Sequence, residues 1–126
     1  MGYINIFHLG NKHQQLIRIV DYYNKELEVY EKVLNDVADK NITDESREDV
    51  THFQNRFNDQ HHNIEDLKHQ INVNKFLVFK DAKHHAGKVE ETLVQENYKI
   101  ENEVIAFERS IMNLKHDFKK YLMKWL

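Results

Sequence analysis

From Leu9 to Val37 the chain repeats one spacing, alternately three and four residues: Leu9, His13, Leu16, Val20, Tyr23, Leu27, Tyr30, Leu34 and Val37, with His13 the one polar intruder. Side chains so spaced lie along a single stripe of an α-helix. A second stripe reads Ser46, Val50, Phe53, Phe57, Gln60, Ile64, Leu67 and Ile71. A third runs through Ala82, Ala86, Val89 and Leu93, and then Ile100, Val104, Phe107, Ile111, Leu114, Phe118, Tyr121 and Trp125. Its phase slips between Leu93 and Ile100, as at a stutter. Each stripe must be covered by the others. The pattern therefore predicts an all-α fold, an antiparallel three-helix bundle with coiled-coil-like packing, as one domain over residues 1–126.

The rest of the composition agrees. The 126 residues include no proline and three glycines, so the usual punctuation of sheets and loops is missing. The absence of cysteine excludes disulfides, thiolate metal sites and a cysteine nucleophile. No apolar run approaches the roughly 18 residues of a membrane span. The expectation is a cytoplasmic protein with no membrane contact. Net charge is −3 and uneven: residues 113–126 sum to +3 and the remainder to −6. An acidic body disfavours nucleic acid, whose binding needs a basic face to displace counterions.

The first turn falls near Asp39-Lys40-Asn41, where Asn tolerates the left-handed conformation of a helix C-terminus. Thr43 suits the next N-cap, with Asp44 and Glu45 favourable in the first turn. The second turn is ambiguous, with a short extra helical or irregular segment expected somewhere in 72–87. A turn at residues 71–74 gives a third helix of about 50 residues, some 75 Å at 1.5 Å each. A turn at residues 84–87, ended by Gly87, gives three helices of similar length but no evident N-cap for the third. The run Phe76-Leu77-Val78-Phe79 faces every side of a helix. It must be buried all round, meet another chain, or be irregular.

One segment carries chemistry worth weighing. In NDQHHNIEDLKHQ, residues 58–70, Asp59, His62, Asp66 and His69 point away from Ile64 and form an outward ladder of acid and base. Its simplest role is mutual stabilisation on a wet helix face. The alternative is an exposed site for a divalent metal such as zinc, with His62, Asp66 and His69 as ligands and water or a second chain completing the shell. A buried di-iron centre is excluded by spacing, since neither His-x-x-x-His nor Glu-x-x-His occurs. His61 and Glu65 lie on the flank. His13 falls level with about residue 71, towards His69 and Asp66, and Gln60 falls near Asn24; both read as polar seam positions that fix register. His84-His85 suits a helix C-terminus.

Nothing here resembles a phosphate loop, a nucleophile elbow or a zinc-protease motif. The resulting expectation is a non-catalytic bundle without a cofactor, acting through protein–protein contact as a homo-oligomer or small adaptor. Its candidate interaction residues are Phe76 and Phe79, together with Phe118, Tyr121 and Trp125 of the C-terminal stripe. Metal binding at the His/Asp face is the alternative.

Overall fold

The computed structural model describes residues 3–126, with side chains from His8 onward. Strand β1 (Tyr3–Asn5) leads into helix α1 (Ile6–Lys40), α2 (Asp44–His84) returns, and strand β2 (Lys88–Glu90) leads into α3 (Glu91–Trp125). Each helix packs against the other two. Cross-contacts give the directions. His13 meets Asn74, Asp21 meets Lys68, and Glu31 meets His61, so α1 and α2 are antiparallel. Lys12–Glu101, Tyr23–Glu108 and Glu26–Lys115 ascend together, so α1 and α3 are parallel. The three-helix bundle read from the stripes is the fold.

Helices of 35, 41 and 35 residues place the second turn at the later of the two positions. The second stripe does not stop at Ile71; it continues through Asn74, Val78 and Ala82, all buried. The break in residues 72–87 is thus confined to their last few. Ala86 and Gly87 both take positive φ, 52° and 85°, and the Gly87 N–H donates to the Ala82 carbonyl at 2.9 Å. Ala82 therefore belongs to α2, Ala86 to the turn and Val89 to β2, not to a third helical stripe.

The absent N-cap before α3 has a structural explanation. Glu90 offers no side-chain cap. Instead β2 pairs antiparallel with β1, Ile4 opposite Val89, and Asp81 of α2 accepts the Glu90 N–H at 2.8 Å. This two-stranded ribbon has no apolar alternation long enough to read in advance.

At the first turn Thr43 caps α2, its hydroxyl accepting the Ser46 N–H at 3.2 Å. Asn41 does not adopt the left-handed conformation, since Ala86 is the one non-glycine residue with positive φ among those described. Its side-chain amide donates to the Val37 carbonyl at 2.8 Å and to that of Trp125 at 3.1 Å. It ends α1 by a side-chain hydrogen bond rather than by backbone geometry.

The core divides in two. The larger cluster fills the bundle from Leu16, Ile71 and Ile100 onward and holds an aromatic knot of Phe53, Phe57, Phe118 and Tyr121, with ring centroids 5.1–6.4 Å apart. The smaller one, beside the ribbon, comprises Leu9, Val78, Ala82, Val89 and Val94. Between them lies a polar layer with one residue from each helix: His13, Asn74 and Asn97.

Candidate interaction surface

With Ile71, Asn74 and Val78 turned inward, the 100° advance per residue leaves their neighbours outside. Val73, Phe76, Leu77 and Phe79 are 43, 66, 39 and 45% exposed. Only Val78 of the four-residue apolar run enters the core. The run is therefore neither irregular nor buried all round. Val73 and Leu77 lean towards α3. With His69, Gln70, Asn74 and Glu96 they line a surface cleft of about 280 Å³.

Asn74 joins this cleft to the polar layer. Its Oδ1 lies 2.6 Å from His13 Nε2 and accepts at 3.5 Å from Asn97 Nδ2, while its Nδ2 donates to the Leu93 carbonyl at 3.2 Å. An acceptor at Oδ1 requires the proton on Nε2, leaving His13 Nδ1 bare. That atom and Asn97 Oδ1 have no partner among the described residues. Burial, and to a lesser degree the charge of Lys75, lower the His13 pKa below its ordinary value; the bond to Asn74 opposes this. The partner of His13 is thus Asn74, rather than the His69 and Asp66 expected from level alone. Gln60 likewise misses Asn24: it donates to Ser110 Oγ at 2.6 Å and accepts from Asn63 at 3.1 Å.

His62, Asp66 and His69 are all exposed on α2, and the structure does not bring them together as ligands. Among the described residues no three His, Asp or Glu side chains converge on a point that could hold a metal ion. Asp66 instead accepts from Gln70 at 3.1 Å. His61 leaves its expected neighbour Glu65 and pairs with Glu31 of α1.

The C-terminal aromatics divide differently from expectation. Phe118 and Tyr121 are buried in the knot, because their stripe faces Phe53 and Phe57 of the same chain, and they are no part of the surface. Trp125 is half-buried, its indole N–H donating to Asp49 at 2.8 Å. Lys124 reaches Glu45 at 2.6 Å. The basic end of α3 is thus matched by the acidic first turns of α2.

Two further exposed rows escaped the reading of the stripes: Tyr22 and Val29 on α1, and Tyr98, Ile105 and Met112 on α3. Their seven-residue spacing was visible, but it lies outside the dominant seam of each helix. No protein-family model matches the chain, and no curated protein and no solved structure matches it.

Proposed function

We propose that this chain is a non-catalytic helical bundle acting through protein–protein contact, by self-association or as a small adaptor, with Phe76 and Phe79 as its anchors. The supporting observation is the exposure of two phenylalanines on a helix whose inward positions are already filled. Four large apolar side chains within seven residues make a patch of the kind that marks interaction sites. Aromatic anchors carry a large share of binding energy at such sites. The neighbouring cleft offers a recess for a partner's side chain, and the polar ladder His62–Asp66–His69 supplies the wet rim that interfaces carry.

A photoactivatable cross-linking residue placed at position 76 or 79 tests this in cells. Protein adducts should form there and not from the same residue at Ile42, which is more exposed but lies in the first turn, at the opposite end of α2. Equal labelling from all three positions would count against the reading.

A further inference from the structure

The groove between α1 and α3, on the side away from α2, has the makings of a fourth-helix seat. On α1 an outward stripe reads Arg18, Tyr22, Lys25, Val29, Lys32, again in steps of four and three. Tyr22 sits on the α3 flank: its ring meets Tyr23 edge-on at 5.1 Å, and Tyr23 in turn hydrogen-bonds Glu108 of α3. On α3 the matching stripe reads Tyr98, Asn102, Ile105, Arg109, Met112, His116, Lys119. Ile105 lies between Glu101 and Glu108, both bonded to α1, and Met112 lies between Glu108 and Lys115. Both lips of the groove are therefore apolar rows.

Their exposed charges are predominantly basic. The acids inside the groove are engaged by the bundle itself: Glu101 by Lys12, Glu108 by Tyr23, and Glu26 by Lys115 and Tyr30. The bases on the lips, Arg18, Lys25, Lys32, Arg109 and Lys119, are exposed and form no ion pair among the described residues. Acids on the outer face of α1 stand at Glu28, between Lys25 and Lys32, and beyond them at Asp36 and Asp39. The occupant that fits is a helix with an acidic and apolar outer face.

The chain carries such a face on α2. Asp59, Glu65 and Asp66 are exposed and without ion pairs among the described residues, while the nearby bases Arg56 and Lys68 are paired with Asp117 and Asp21. About two to nearly four turns further on come Val73, Phe76 and Phe79. The register α2 keeps with its own α1, Glu31 opposite His61 and His13 opposite Asn74, can be applied to the empty groove. Asp59 then falls level with Lys32 and Lys119, and Glu65 and Asp66 fall level with Lys25. Phe76 and Phe79 fall level with the Tyr98–Ile105 end.

We infer that α2 of one copy docks antiparallel in the α1–α3 groove of the next. This rests on the proposed protein-contact role and names its partner. The contact is heterologous, so it propagates head to tail instead of closing a two-fold dimer. Its ionic half makes it salt-sensitive.

Light scattering from 5 to 200 µM should show mass rising with concentration beyond two chains, and falling between 50 and 500 mM NaCl. Phe76→Glu blocks the α2 face and Ile105→Glu blocks the groove; both positions are exposed, and circular dichroism checks that both variants fold. Each variant alone should stay a single chain, whereas an equimolar mixture should give a species of two chains, since each supplies the face the other lacks. Self-association of the parent chain without recovery in the mixture overturns the head-to-tail contact and leaves the protein-contact role standing. A parent chain that is monomeric throughout also overturns it, as does salt-sensitive binding of that monomer to phosphatidylserine vesicles lost in Ile105→Glu. The cross-linking at position 76 then decides the broader role independently.

Discussion

His13 Nε2 and Asn74 Oδ1 lie 2.6 Å apart where the apolar core is interrupted, with larger and smaller hydrophobic clusters on either side. Both residues are almost wholly buried. This contact fixes the register of α1 against α2, because a shift by one turn would bury both groups unpaired. Asn74→Ala removes the partner of His13 and of the Leu93 carbonyl together. It should cost about 2–6 kcal/mol, at roughly 1–3 kcal/mol for each buried group left unsatisfied. Urea unfolding measures it.

The same layer makes stability depend on pH. The folded-state pKa of His13 lies below the value of 6.5 expected in an unfolded chain, so folding favours the neutral ring. Its contribution is fully present above pH 6.5 and is lost as pH falls from there through the folded pKa. Over that window stability should fall as the pH falls. His13→Leu should flatten this part of the profile. An unchanged slope between pH 7 and 5 in the variant would assign the titration elsewhere.

Phe118 and Phe76 should respond oppositely to truncation. Phe118 lies in the aromatic knot at 1% exposure, so Phe118→Ala should cost about 3–5 kcal/mol. Phe76→Ala removes an exposed side chain and should change stability by no more than about 0.5 kcal/mol. Thermal melts of the two variants distinguish a core residue from a surface anchor directly.

Glu26 is the hub of a second cross-link. Its carboxylate accepts from Tyr30 at 2.7 Å and from Lys115 of α3 at 2.8 Å. Burial works to raise its pKa, but the bonds from Lys115, Tyr30 and Tyr22 outweigh this and hold it below the ordinary carboxylate value. The bond to Glu26, in turn, raises the Lys115 pKa well above its usual range. Glu26→Gln should destabilise the bundle by about 1 kcal/mol, a figure kept small because solvent reaches the Lys115 side of the pair. Because the Glu26 pKa is depressed, its contribution is present above the unfolded value and fades as pH falls through the folded one. Acid unfolding of the variant should accordingly be less steep.

Gly87 ends α2 with φ of 85°, and a Cβ placed there would meet nothing within 4 Å. The cost of Gly87→Ala is therefore conformational only, about 1–2 kcal/mol. A neutral result in a denaturant melt would mean that the turn relaxes to another backbone path.

The stripes were legible because the inward positions of α1, His13 apart, and of the later part of α3 are apolar at helical spacing. Thr43 and Gly87 were legible because capping chemistry is local. What escaped was the middle of α2, where the seam passes through Asn74 and a polar residue looks like a turn. Only its partners on the other two helices show why it is inside. Asn97 hid the true seam of α3 in the same way, setting Val94 rather than Leu93 at the centre. The candidate site was half legible. Phe76 and Phe79 stand out as an apolar run that no helix can bury on every side. The fates of Phe118 and Tyr121 depended on what Phe53 and Phe57 would face.

The β1–β2 ribbon joins the starts of α1 and α3, and the Asn41–Trp125 hydrogen bond joins their ends. Two helices that are not neighbours in the chain are thus fastened at both extremities, while α2 is held by its turns and by its packing between them. Peeling α3 away from its C-terminus must first undo Asn41 and Asp49 together. Fraying from the other end must strip a strand pair whose members lie 85 residues apart in sequence. Partial opening by loss of one terminal helix is therefore disfavoured at either end, and the bundle should come apart as one cooperative unit.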